Sequence, residues 1–382
     1  MKIVRAIIII FVLLATVPVF ASDWPQYLGP SRNSVSDQKG ILRSWPQQGP
    51  EVLWTVEVGI GFGGPVSKDG KVYLLDRDDK VGDTLRCFDL SSGKELWNFG
   101  YKAPGTVMFP GSRSVPAVDG NKVWEKDLGR SDNTFGYACS LVMFRNLLLI
   151  QFDQGAEEDQ KSMMIAIDGA TGNFAWQKER PVGTSWATLI IINAAGKNQL
   201  ITCGNPWVIA YNPADGIEMW RAKCLSGYVA ISPIYTDGIV VVIDMYNGFI
   251  AIRPDGSGDV TNTHIAWSIP EGTPEISSPI SKDGLIFILI GDVYVACFRS
   301  SDGKELWEQR MKSYIWASPS LAGDRLFLLS VKGEMFIIEA GAEYKELAKC
   351  ELYEACFATP AFVDGRIYIR GYNHLYCIGE KV

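Results

Sequence analysis

Few residues of this chain can do chemistry, and they do not gather along the sequence. His264 and His374 are the only histidines, which excludes a histidine-based zinc cluster. Glu157-Glu158-Asp159 packs oxygens together but lacks the glycine-punctuated loop of a calcium site, so it reads as solvated surface. No Gly-x-Gly-x-x-Gly follows a strand in a βαβ setting, and no Ser/His/Asp set is visible. What remains is an aromatic set with two charges: Phe62, Arg113, Tyr137, Trp186, Glu275, Trp316 and Phe357. Each stands three or four residues before the second member of a recurring Ser/Thr–Pro pair or its relic. The pairs are Pro65, Ser114-Val-Pro116, Ser140-Leu141, Thr188-Leu189, Ser232-Pro233, Ser278-Pro279, Ser318-Pro319 and Thr359-Pro360. Such a set can bind a flat ligand or an apolar peptide, with Arg113 and Glu275 orienting it. Equally, the aromatics can serve as bulk that plugs a wide axis.

The elements that must position these residues are repeats. Asp168-Gly-Ala-Thr-Gly-Asn-Phe-Ala-Trp176 recurs as Asp89 to Trp97, Asn212 to Trp220 and Arg299 to Trp307. A stretched copy ends at Trp267, and bare echoes sit at Trp54 and Trp124. Most Trp-to-Trp steps are 40–47 residues, a period at which each unit needs its neighbours to bury its apolar face. A small residue precedes each turn by two positions (Cys87, Ala166, Ala210, Cys297), and the glycine in the turn suits a tight hairpin. Trp54, Trp97, Trp176, Trp220, Trp267 and Trp307 are therefore expected to dock blade against blade. The pattern predicts an all-β fold, a β-propeller of seven to eight blades with four antiparallel strands each. The interval before Trp124 is too short for a full unit, so one blade is expected to be stunted.

The chain ends complete the ring. Glu51 to Trp54 is a closing strand with no blade before it, and Pro360 to Cys377 supplies three strands without a tryptophan. Joined, they make one blade and remove the edges a solenoid would have to cap. Residues 1–21 read as a signal peptide, with Lys2 and Arg5 ahead of an apolar run and Val19-Phe20-Ala21 at the cut. Residues 22–50 form an irregular lead-in laid on the body by Trp24, Tyr27 and Trp45, and 51–382 form the propeller. Export would place the protein in the periplasm or outside the cell, with no stable membrane span once the signal is cleaved. The net charge of −7, with no basic run, speaks against nucleic-acid binding. Cys87, Cys297 and Cys377 fill a slot that alanine fills elsewhere, so they are expected to be buried free thiols. Cys139, Cys203, Cys224, Cys350 and Cys356 stay open. Cys203 with Cys224, and Cys350 with Cys356, could pair in an exported chain.

The repeats at Asp89, Asp168, Asn212 and Arg299 resemble the tryptophan-docking repeat of pyrroloquinoline-quinone (PQQ) type propellers. The lead-in Asp23-Trp-Pro-Gln-Tyr-Leu-Gly-Pro-Ser-Arg-Asn33 resembles the start of exported bacterial PQQ-like repeat proteins. That family includes quinoprotein dehydrogenases, in which a mouth-bound quinone, a calcium ion and an Asp base oxidise alcohols or sugars. It also includes the outer-membrane assembly lipoprotein, which binds its partner at the propeller mouth. The chain lacks the adjacent cysteine pair of the methanol dehydrogenase branch, and offers only Glu275 where the enzymes set Glu, Asn and Asp. The resemblance thus implies a binding or scaffolding module with a protein or peptide at its mouth and no cofactor. A PQQ- and calcium-dependent dehydrogenase is the alternative it leaves.

Overall fold

Seven sheets carry the described residues, antiparallel except for two short strands added parallel at an edge. The structure, a computed structural model, describes residues 23–38, 41, 51–78, 80, 82–102, 111–112, 114–116, 124–129, 131–270 and 273–380. The expected signal peptide, Trp45 and Arg113 lie outside these residues. Six blades are consecutive hairpin meanders: 66–102, 142–179, 190–223, 234–269, 280–310 and 320–351. The seventh takes three strands from 361–378 and its outermost, Val52–Glu57, from the other end of the chain. There Trp54 stands opposite Cys377. No helix among the described residues is long and apolar enough to cross a membrane.

One cross-strand pair explains the tryptophan period. In each Trp-bearing blade the outer-strand Trp faces a small residue: Cys87–Trp97, Ala166–Trp176, Ala210–Trp220, Ala251–Trp267, Cys297–Trp307 and Cys377–Trp54. A bulge follows beside each pair, which strengthens the local twist. The sixth blade inverts the sizes, with Ala348 on the outer strand opposite Ile337, so the layer keeps its volume. All eight cysteines are free, those in the small slot being fully buried.

The turn before each Trp is built for the tryptophan of the preceding unit. Asp89 Oδ1 accepts hydrogen bonds from the backbone and hydroxyls of Ser91 and Ser92, and Asp168 Oδ1 accepts from the Ala170 and Thr171 N–H groups and the Thr171 hydroxyl. At Gly93, φ is +70° and a Cβ would fall 2.6 Å from the Trp54 ring, so only glycine fits. Gly216 meets Trp176 likewise, Gly303 meets Trp267, and Gly172 meets Trp124. Indole N–H groups complete the joints: Trp54 donates to Leu90 O, Trp267 to Ser300 O and Trp307 to Gly341 O. Trp124 donates to Gly169 O at 2.7 Å, although no sheet forms among the described residues between 102 and 142.

The axis is tied by a hydrogen-bonded belt. Six backbone N–H groups along the axis each donate to the hydroxyl of the next station. Val115 donates to Ser140, Ser140 to Thr188, Thr188 to Ser232, Ser232 to Ser278, Ser278 to Ser318 and Ser318 to Thr359, all at 3.0–3.2 Å. The recurring Ser/Thr–Pro pairs of the sequence are this belt. The segment at Ser112 to Pro116 holds a place in it without a sheet, and Phe62 and Gly63 donate back to Ser112 O.

At the other end of the axis the lead-in runs across the innermost strands. Trp24 pairs with Ser67 in the first blade, and Arg32 Nη2 donates to Met143 O in the second. Val35–Ser36 lies parallel to Leu321 and Ala322 in the sixth, and Gln38 bonds to Phe362 O and Gly365 N in the seventh.

Candidate functional site

Loops that join one blade to the next open on the axial end away from the lead-in. They bring two groups of aromatic rings together. In the first, Phe357 contacts Phe62 at 5.6 Å, Trp316 at 5.5 Å and Tyr372 at 6.4 Å between ring centroids. Phe62, Trp316 and Phe357 come from neighbouring stations of the belt, and Tyr372 from a turn within the seventh blade. In the second, Trp186, Phe135 and Tyr228 contact one another at 5.3–5.8 Å. Trp186 is fixed from behind, its indole N–H donating to Asn133 Oδ1 at 2.9 Å and Gly136 O at 3.1 Å. Trp316 remains 41% exposed and Tyr228 62% exposed. Contiguous apolar surface left to water marks interaction sites of several kinds, for proteins, membranes or ligands.

Tyr137 turns inward. Its ring packs on Phe152, its hydroxyl is buried without a partner, and burial raises its pKa well above the ordinary tyrosine value. Glu275 is exposed between the two aromatic groups, next to exposed Ile276. Below it lies Asp292, which is buried and has one carboxylate oxygen without a partner. Burial, and then the charge of Glu275, raise the Asp292 pKa.

Buried ion pairs set the floor rigidly. Asp153 accepts from Arg180 Nε at 2.7 Å and Nη2 at 3.2 Å, and both side chains are fully buried. Arg180 also reaches Thr202 in the next blade, and so spans a blade seam. Burial works against the Arg180 charge, but the Asp153 carboxylate outweighs it and raises the pKa. At the closing seam, Arg370 of the seventh blade donates to Asp76 of the first at 2.7 Å and to the carbonyls of Gly59, Gly63 and Leu75. A Cβ on Gly61 would sit 2.2 Å from this guanidinium, so the backbone can cross there only as glycine. Burial lowers Arg370 to about 10.

Sequence reasoning missed Tyr228, Tyr314, Tyr246 and Tyr372. The signal was present: Tyr228 and Tyr314 share a slot five residues before Pro233 and Pro319. Tyr246-Asn247 and Tyr372-Asn373 likewise share one turn of the blade.

A quinone enzyme of this fold would need a calcium shell of about six to eight oxygens at the mouth. Among the described residues, Asp153 and Asp76 are committed to arginines, Asp244 accepts from Ser226, Tyr246 and Asn247, and Glu354 is engaged by Asn373, His374 and Tyr376, which leaves Glu275 and Asp292. No group of three or more metal-binding side chains occurs among the described residues. The donor set does not fit that cofactor pair.

Comparison with known proteins agrees on architecture. The chain is 22% identical over 227 residues to the outer membrane protein assembly factor BamB of Yersinia pestis, covering 56% of this chain and 48% of that protein. The match thus spans about half the length of this relative. Among solved structures it is similar to BamB from Moraxella catarrhalis, with 11% identity, 87% and 98% of the two chains covered and a TM-score of 0.51. It is also similar to the quinohemoprotein alcohol dehydrogenase from Comamonas testosteroni, with 13% identity, coverage of 94% and 81%, and a TM-score of 0.61. At such identities the structures speak for the fold alone. A family model described as outer membrane protein assembly factor BamB matches residues 38–185 and 113–281, more than half of the chain, and the chain belongs to that family of PQQ-repeat propellers.

Proposed function

We propose that this protein is a non-catalytic scaffold that takes an apolar segment of a partner protein at the propeller mouth. The observation that carries the reading is the pair of aromatic groups left exposed around Glu275, over a floor locked by buried ion pairs. Rigid aromatic anchors with few charges suit a protein surface better than a reaction that must place a base and stabilise developing charge. Arg113, next to Ser112 in the sequence, is the second orienting charge of this reading. The relatives are named for outer membrane protein assembly, and we extend that role to this chain. With the export signal read in residues 1–21, this puts its work in the periplasm.

The test replaces the chromosomal copy with Phe62→Ala/Trp316→Ala/Phe357→Ala. The amount of folded outer-membrane protein should fall while the thermal unfolding midpoint of the purified variant changes little. Normal outer-membrane assembly in that strain would overturn the proposal. Calorimetric titration with PQQ and calcium should show no stoichiometric site. A tight site lost in Glu275→Gln would instead establish the dehydrogenase.

A further inference from the structure

The face opposite the mouth carries a groove that the function proposed above does not use. In five blades the innermost hairpin turns on a carboxylate: Asp69, Asp237, Asp283, Asp324 and Asp364. The second and third blades break this rule, with Arg145-Asn146 and Ala195-Gly196 followed by Lys197. At the other turns each cation shares its turn with a carboxylate: Lys68 pairs with Asp23 and Asp69 and Arg325 with Asp324, while Lys71, Lys282 and Arg366 stand within two residues of Asp69, Asp283 and Asp364 in the sequence. Among the described residues no carboxylate pairs with Arg145 or Lys197. Arg145 only lies over the Phe144 ring, at 5.1 Å.

These two cations line an open groove of about 440 Å³ across the seam of the two blades. Its walls are Phe144, Ile217 and Met219, and Asn198 and Asn212 add amides at the rim. Ile217 is 59% exposed. The nearby carboxylates are already committed, Asp168 to Asn146 and its own turn, Asp215 to Asn212 and the Ile217 N–H. The volume lies within the range of about 300–1,000 Å³ usual for ligand clefts. An unpaired positive rim over apolar walls, on a protein of net charge −7, selects a ligand that is both acidic and apolar.

We propose that this groove docks an extended acidic segment of a protein, bearing aliphatic side chains for the Phe144–Ile217–Met219 wall. It shares no residue with the mouth, so it stands or falls separately from the scaffold reading. The probe is a labelled ten-residue peptide of Glu and Asp with spaced Leu residues, titrated into the full chain by fluorescence anisotropy. Saturable binding is expected, weakened at least tenfold by Arg145→Glu/Lys197→Glu and by half-molar salt. Arg145→Gln/Lys197→Gln should weaken it in the same direction with the thermal midpoint unchanged, which separates lost contact from lost folding. Trp316→Ala/Phe357→Ala should leave it intact. The inference is overturned if the acidic peptide does not bind, if a Lys-for-acid version binds equally, or if the mouth variant abolishes binding. Binding to phosphatidylglycerol-containing vesicles without binding the peptide would assign the groove to a membrane surface and overturn it as well.

Discussion

Trp220 and Trp97 hold the same place in the repeat and lead different lives. Trp220 is fully buried, and Trp97 is 37% exposed. Around Trp220 the next blade closes fully. Its long last connection folds back so that Gly258–Asp259 adds a parallel strand beside Trp220 and Arg221, and the indole donates to Gln199 at 2.7 Å. Trp97 looks toward the sector between 102 and 142, where the described residues form no sheet, and its ring meets Tyr73 edge-on at 5.9 Å. Yet the belt runs through that sector without a break, from Phe62 to Ser112 and from Val115 to Ser140. The lead-in ties the innermost strands of the blades on either side of it. Among the described residues, the hydrogen bonds at the axis thus continue through a sector where no outer strand is paired.

The comparison breaks most severely at the closing blade. Deleting residues 51–57 strips the outermost strand from the seventh blade and exposes its edge. Cooperative thermal unfolding followed by circular dichroism should disappear, and an unchanged midpoint would show that closure is incidental. Next in size are the tryptophans themselves. Trp220→Ala should cost about 3–5 kcal/mol in urea titration, and Trp97→Ala about 1–2 kcal/mol because much of its ring already meets water. Equal losses would mean that the two sectors are packed alike.

Belt variants sharpen the contrast. Ser278→Ala and Ser140→Ala each leave one N–H of the belt without its acceptor, at a cost of about 1–3 kcal/mol. In Ser140→Ala, amide exchange should quicken first at Val115, where no sheet supports the link. Uniform quickening around the ring would argue against a locally thin sector. The smallest effect is acid sensitivity of the turns. Hydrogen bonds from Thr171, its hydroxyl foremost, hold the Asp168 carboxyl below the usual range. A group whose folded pKa is depressed adds stability above its unfolded value and loses it as the pH falls through the folded one. Asp168→Asn should therefore flatten the loss of stability below about pH 4 relative to the parent. An identical acid limb in both proteins would exclude this turn from the acid response.

Much of the architecture was legible because it is periodic. The Trp opposite a small residue, the Asp or Asn opening the turn, the Ser/Thr–Pro pairs and the orphan strand ending at Trp54 each repeat or conspicuously fail to repeat. The free state of Cys87, Cys297 and Cys377 followed from the same slot. The role of Trp124 was only half visible, as a bare echo, since its partner Gly172 belongs to another unit. Of the residues expected at the mouth, Phe62 and Trp316 both contact Phe357, Trp186 joins a separate ring group, and Tyr137 faces inward. What escaped was contact between segments with no shared period. The Gly258–Asp259 strand, the passage of the lead-in from Ser67 to Leu321, and the Asp292–Glu275 juxtaposition are of this kind.

The seventh blade has a consequence for how the protein comes into being. Val52–Glu57 is among the first of the described strands to be synthesised, and its partner His374–Ile378 is the last of them. Until then the early strand has nothing to pair with, however well the blades between have formed. Chains grow at roughly 5–20 residues per second, so the wait lasts on the order of tens of seconds. A chain cut short anywhere before the final hairpin keeps an open edge, a mark by which proteases and chaperones can tell an unfinished molecule from a finished one.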